Sequence, residues 1–185
     1  MFTGIIETTA KATKQTDEKL IISRPTKFKN LTIGQSIATN GACLSVAQYD
    51  DKTMSFDVLS ETFRRTNLGT TKTVNLERAM PADGRFEGHI VLGHVDGTIE
   101  LRERISETSG EKFIFSLPSK KKYLLEKGSI SLNGVSLTLG KITDNTFEVF
   151  LIPITLEYTN LGNLAVGEKV NFEYDYVAKI IAQDL

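Results

Sequence analysis

Two short runs place a thiol and a hydroxyl at the same position. In Asn40-Gly41-Ala42-Cys43-Leu44-Ser45 and Asn133-Gly134-Val135-Ser136-Leu137-Thr138, Cys43 answers to Ser136, and each is followed two residues on by a hydroxyl, Ser45 or Thr138. A thiolate attacks carbon once its pKa is lowered, and a thiol or hydroxyl can also polarise a bound ring by hydrogen bonding. The mismatch within an otherwise matched pair suggests two related pockets with different duties. Taken singly, each residue also reads as a small polar side chain satisfied inside a barrel. His89 and His94 are the only histidines, with Asp96 close by. Imidazole titrates near neutral pH and suits proton transfer, though a structural histidine is the plainer reading of either. Two side chains five positions apart on a strand leave opposite faces, so a shared metal is not expected.

Other chemistry finds little support. No Gly-x-Gly-x-x-Gly fingerprint occurs, and Gly88-His89-Ile90-Val91-Leu92-Gly93-His94 has phosphate-loop glycine spacing but puts His94 where a lysine must stand. There is no Gly-x-Ser-x-Gly elbow. The single cysteine, Cys43, excludes an intrachain disulfide and a cysteine zinc cluster, and fits a reducing cytoplasm. Twenty-two basic against 23 acidic residues leave a net charge of −1, so no bulk field attracts nucleic acid or anionic membrane. Lys120-Lys121-Lys122 reads as a solvated turn or helix face. The start, Met1-Phe2-Thr3-Gly4-Ile5-Ile6-Glu7, lacks the pattern of an export signal, and no segment has the ~20 apolar residues of a membrane span. Asn30-Leu31-Thr32 matches a glycosylation acceptor by chance.

The elements that must position Cys43 and Ser136 come from a duplication. Residues 18–69 align without a gap on residues 111–162 at a shift of 93. Thr66-Asn67-Leu68-Gly69 falls on Thr159-Asn160-Leu161-Gly162, and Gly4-Ile5-Ile6-Glu7 pairs with Gly93-His94-Val95-Asp96. With 185 residues and 40% apolar content, two like domains of about ninety residues can each bury a core. Asn40-Gly41 and Asn133-Gly134 are what a type I′ hairpin wants, since both central residues need φ > 0. Strands are expected at 54–59 and 147–152. Short helices are expected after Pro25 and Pro118, at 61–66 and 155–160, and at the terminus over 176–184. Many short strands with close turns point to two small closed barrels, joined near Pro81-Ala82-Asp83-Gly84-Arg85. The domains expected are 1–87, 88–175 and a C-terminal helix, 176–185.

The chain resembles the riboflavin synthase alpha-chain family over essentially its whole length. The likeness rests on Met1-Phe2-Thr3-Gly4-Ile5, Asn40 to Val46, Glu61-Thr62-Phe63-Arg64-Arg65-Thr66, Gly88 to Gly97, Asn133 to Thr138, and Ile152-Pro153-Ile154-Thr155-Leu156-Glu157. Glu87, Ser60 and Ile154 depart from the pattern. The resemblance implies an all-β fold of two six-stranded Greek-key barrels plus a C-terminal helix, assembled as a homotrimer with active sites between barrels of neighbouring subunits. It implies dismutation of two 6,7-dimethyl-8-ribityllumazine molecules to riboflavin and 5-amino-6-ribitylaminouracil, with no external cofactor and no metal. An association with lumazine synthase is left open.

The same resemblance assigns residues. Cys43, Leu44 and Ser45 would line the first pocket, with Asp57, Val58, Leu59, Ser60, Glu61 and Thr62 reading the heterocycle edge and Gly4, Ile5 and Ile6 as the opposite wall. Ser136, Leu137 and Thr138, with Phe150, Leu151, Ile152, Pro153, Ile154 and Thr155, would do the same for the second lumazine. Gly93, His94 and Val95 join the binding set. His94 is the candidate proton carrier, whereas His89 is assigned to structure. Lys127 is associated with ligand contact, and Phe2 and Asp175 with activity. Antenna proteins of the same fold, which hold lumazine or flavin without chemistry, are the alternative. A small-barrel nucleic-acid binder would want basic and aromatic residues interleaved, and no such stripe exists.

Overall fold

The computed structural model describes residues 1–16 and 18–182. Each repeat closes into an antiparallel six-stranded barrel. The first consists of β1 (Thr8–Thr16), β2 (Lys19–Ser23), β3 (Ser36–Thr39), β4 (Ala42–Tyr49), β5 (Thr53–Asp57) and β6 (Thr73–Arg78). The second consists of β7 (Gly97–Glu107), β8 (Gly110–Ser116), β9 (Ser129–Leu132), β10 (Val135–Ile142), β11 (Thr146–Leu151) and β12 (Lys169–Tyr174). The order around the two barrels is the same, β1-β2-β5-β4-β3-β6 and β7-β8-β11-β10-β9-β12, and closure leaves no unpaired edge.

Period-two alternation decides which side chains face out. On β4 Ala42, Leu44 and Val46 are buried while Cys43 and Ser45 are not, and on β10 Val135, Leu137 and Leu139 are buried while Ser136 and Thr138 are not. The inward sets join two separate cores. One gathers Leu20, Phe28, Met54 and Phe56, and the other is built around Phe113, Phe115 and Phe147.

The two Asn-Gly hairpins adopt the expected turn, with φ of 45° and 78° at Asn40 and Gly41 and of 46° and 82° at Asn133 and Gly134. They also meet each other. A Cβ on Gly41 would lie 2.7 Å from the Gly134 nitrogen, so the approach needs glycine for space as well as for φ. Around this contact six asparagines form a network that repeats itself across the two halves. Asn40 Nδ2 donates to Asn67 Oδ1 (3.1 Å), as Asn133 Nδ2 does to Asn160 Oδ1 (3.2 Å). Asn75 Nδ2 donates to the Asn133 carbonyl (2.9 Å), as Asn171 Nδ2 does to that of Asn40 (2.8 Å). The barrels are therefore joined by a polar, fully partnered seam.

Among the described residues there are three short α-helices, α1 (Ser60–Arg65), α2 (Pro153–Tyr158) and α3 (Tyr176–Ile181), α2 running into a 3₁₀ turn at Asn160–Asn163. Helix α3 falls within the expected terminal helix, of which residues 183–185 lie outside the described residues. No helix follows Pro25. There the Phe28 amide closes a single turn onto the Pro25 carbonyl (2.9 Å), and the Arg24 guanidinium takes the Phe28 carbonyl that a continuing helix would use. After Pro118 the chain makes one 3₁₀ turn, Lys121–Tyr123. Residues 92–96 are not a strand either, so the placement of the histidines follows from loop geometry rather than pleat. Among the described residues no helix is long and apolar enough to cross a membrane.

Candidate active site

Cys43 on β4 and Ser136 on β10 each lie against a strap from the opposite half, while Ser45 and Thr138 stay exposed. Phe2 and Val91 pair antiparallel, each amide donating to the other's carbonyl (2.8 and 3.1 Å). Beyond this crossing the straps lie on exchanged barrels. The Ser136 amide donates to the Gly4 carbonyl (2.8 Å) and the Cys43 amide to the Gly93 carbonyl (2.9 Å). Gly4 and Gly93 have φ of +80° and +81°, and an added Cβ would stand 2.6 Å from Ser136 Cβ or 2.5 Å from Cys43 Cβ. Farther along, Ile6 packs against the second core and Val95 against the first. This corrects one expectation: within the chain Gly4 lies on Ser136 and Ile6 on the second core rather than opposite Cys43, because the Gly4 carbonyl is held by the Ser136 amide, while Ile5 lines a separate cavity with Glu77 and Arg78. Gly93 lies on Cys43 and Val95 on the first core in their place, with His94 exposed between them.

Two carboxylates anchor the straps. Glu77 on β6 accepts from the Thr3 and Gly4 amides (2.8 and 3.1 Å), and Glu173 on β12 accepts from those of Leu92 and Gly93 (2.7 and 2.9 Å). Burial pushes both carboxyl pKa values up, against the pull of those amides.

Asp57, Val58, Leu59 and Ser60, with Thr16, Glu18 and Lys19, line a cavity of about 680 Å³ at the end of β5, and Cys43, Leu44, Ser45 and Gly93 to Val95 are not part of its lining. Leu59 is exposed, and Glu61 and Thr62 stand in the first turn of α1. At the equivalent end of β11, Phe150, Ile152 and Ile154 are exposed and Pro153 and Thr155 stand in α2. Leu44, Val58, Leu137 and Leu151 are buried among core residues, so their side chains are taken up by packing.

The polar groups differ between the pockets. His89 Nδ1 lies 2.7 Å from Ser136 Oγ, and the His89 amide donates to the Thr3 carbonyl (3.1 Å). Burial pulls the His89 pKa down, opposed by the charge of Asp175, whose carboxylate caps α3 at the Val177 amide (2.9 Å). His89 is thus a direct neighbour of Ser136; its partner lies 47 positions away, and spacing gave no sign of it. His94 is exposed, directly after the glycine that covers Cys43. Phe2 is fully buried with Ala38 and Val91, with Cys43 packed against the cluster, so it supports the thiol from behind. Lys127 holds φ of 68° at the position where the first barrel has Gly34, φ of 84°.

Two equivalent barrels and one exchanged pair of straps, laid on Cys43 and Ser136, define a duplicated-barrel protein. Sequence relationships agree. The lumazine binding domain family matches twice, at residues 3–79 and 92–175. The riboflavin synthase of Actinobacillus pleuropneumoniae is 44% identical over 193 aligned positions, covering 100% of this chain and 90% of its own. That of Escherichia coli (strain K12) is 39% identical over 186, covering 95% and 87%. A crystal structure of LumP complexed with riboflavin superposes with a TM-score of 0.85 at 24% identity, covering 94% of this chain and 99% of that one. The chain belongs to the riboflavin synthase family of lumazine-binding repeat proteins.

Proposed function

We propose that the chain is a riboflavin synthase that dismutates two 6,7-dimethyl-8-ribityllumazine molecules by transfer of a four-carbon unit, giving riboflavin and 5-amino-6-ribitylaminouracil. The observation that carries this reading is a pair of equivalent strap-covered positions, Cys43 under Gly93 and Ser136 under Gly4, that differ in their reactive polar groups. One substrate must lose a proton from its C7 methyl while the other accepts a nucleophile at C7, so two identical sites would not serve. In the second pocket His89, kept neutral by burial, is available to take a proton through the Ser136 hydroxyl. In the first, Cys43 and the exposed His94 supply a polarisable group and a solvent-linked base. Ser45, Thr138 and the backbone of 57–62 and 150–155 meet the alternating donors and acceptors of the pyrimidinedione. Holding two rings in register is worth up to ~7–11 kcal/mol in favourable cases.

Assembly as a homotrimer, with the first barrel of one copy facing the second of its neighbour, belongs to the same proposal. The apolar rims at Leu59, Phe150, Ile152 and Ile154, and Tyr176, Val177, Ile180 and Ile181 on α3, are exposed in one copy and give a neighbour something to cover. The test is direct. Purified protein incubated with the lumazine should form one riboflavin for every two lumazines consumed, without added cofactor and equally in the presence of a chelator. Ligand-dependent fluorescence without turnover would mark a binding protein instead.

A further inference from the structure

We infer that Glu77 and Glu173 are crossed positioning residues, each carboxylate fixing from one barrel the strap that walls the pocket of the other. The inference rests on the reading of the two pockets as a catalytic pair. Glu77 is a residue of the first barrel, yet the Thr3 and Gly4 amides it holds belong to the strap that lies on Ser136 in the second. Glu173 is a residue of the second, yet it holds Leu92 and Gly93 over Cys43 in the first. The two are 5% and 3% exposed. Burying a carboxylate is costly, and a neutral side chain would pack more cheaply if filling space were the only need. What the carboxylate supplies is two acceptor oxygens for two consecutive amides; a glutamine has one acceptor and turns a hydrogen toward the other amide.

What hangs from each strap makes the crossing consequential. The Thr3 carbonyl also receives the His89 amide, so the strap under Glu77 sets where His89 meets the Ser136 hydroxyl. The strap under Glu173 sets where His94 begins and brings Gly93 against Cys43 so closely that no Cβ fits. Loosening either carboxylate should disturb one pocket only, and it should be the pocket of the other barrel.

The chain carries its own probes, since it has one cysteine and two histidines. In the full-length protein, Glu173→Gln should raise the alkylation rate of Cys43 by about fivefold or more and shift the NMR ring signals of His94, leaving those of His89 in place. Glu77→Gln should shift the His89 ring signals and leave Cys43 alkylation within about twofold of wild type. Should either glutamine variant fail to fold, Glu173→Asp and Glu77→Asp keep the charge but draw the carboxylate back by one methylene from the same two amides, and the same crossed pattern is expected. Both probes responding to both variants, or neither responding to its own, overturns the inference. Wild-type protein that forms no riboflavin while the probes still respond crosswise overturns the functional reading and leaves the crossed clamps standing. Wild-type turnover with uncrossed probes does the reverse.

Discussion

At the scale of single residues, the two repeats differ in carrying a thiol, Cys43, at the position where the other carries a hydroxyl–imidazole pair, Ser136 with His89. Cys43→Ser would make the pockets more alike while barely changing volume, so it tests sulfur rather than packing. Turnover should fall ~10-fold or more, about 1.4 kcal/mol at the transition state, with ligand affinity and thermal stability nearly unchanged. Unchanged turnover would reduce Cys43 to packing and shift the burden to His89, His94 and ring alignment. His89 makes a separate prediction about pH. Its pKa is lowered by burial from an ordinary 6.5, so as pH falls below that value the unfolded chain takes the proton before the folded one. The contribution of the neutral imidazole is therefore fully present above about 6.5 and is lost on acidification, at no more than about 1.4 kcal/mol per pH unit. Denaturation of wild type and His89→Gln on either side of that pH should show the shallower dependence in the variant. Equal slopes would mean the folded imidazole charges as readily as a free one.

At the scale of elements, the hairpins and the asparagine seam carry the fold. Asn40 accepts from the Asn75 amide and from Asn160 Nδ2 (2.8 and 2.9 Å), besides donating to Asn67. Asn40→Gly keeps the left-handed turn and removes only these bonds, at about 1–3 kcal/mol, whereas Asn40→Ala should cost about 1 kcal/mol more for the backbone. Equal losses in urea melts would deny the turn its share. Lys127 is the converse case, a non-glycine in left-handed backbone opposite Gly34. Lys127→Gly should leave stability unchanged or raise it by up to about 1 kcal/mol while raising the KM for lumazine, as expected if the side chain is kept for the ligand. Much at this scale was legible beforehand. The Asn-Gly pairs specify φ > 0, the alternation around Cys43 and Ser136 specifies which residues leave the barrel, and the gapless repeat specifies that both halves do so alike. What stayed hidden has a common cause. Gly4 and Gly93 could be matched as equivalents, but equivalence does not say on which barrel each lies, because the exchange is decided by contacts 50 to 132 positions apart. For the same reason Glu77 and Glu173 read as ordinary strand residues. The expected helix after Pro25 failed more locally, since Arg24 takes the carbonyl the helix needed.

At the scale of the whole molecule, duplication alone would give two independent barrels, and the straps make them dependent. A separate first half, residues 1–87, retains all six strands of its barrel and its core, so it should fold. It lacks the strap that walls its pocket, however, leaving the Cys43 amide without the Gly93 carbonyl and Asn67 without Asn133 and Asn171 across the seam. Each lost partner exposes a polar group that water can satisfy, so the half survives, but with lower stability than the full chain. Its pocket keeps the backbone of 57–62 and loses one wall, so it should bind riboflavin more weakly than the full chain and make none. Adding a second fragment, residues 88–185, returns Leu92 and Gly93 already held by Glu173 and receives Phe2 to Gly4 on Ser136 in exchange. The two fragments together should recover both riboflavin affinity and turnover, with fluorescence titration reading the first and riboflavin absorbance the second. A first half that binds as tightly alone as in the intact chain would show that the strap does not form part of the pocket. Recovery of affinity without turnover would confine the loss to the second pocket, where Gly4 must again seat on Ser136 before His89 can reach it.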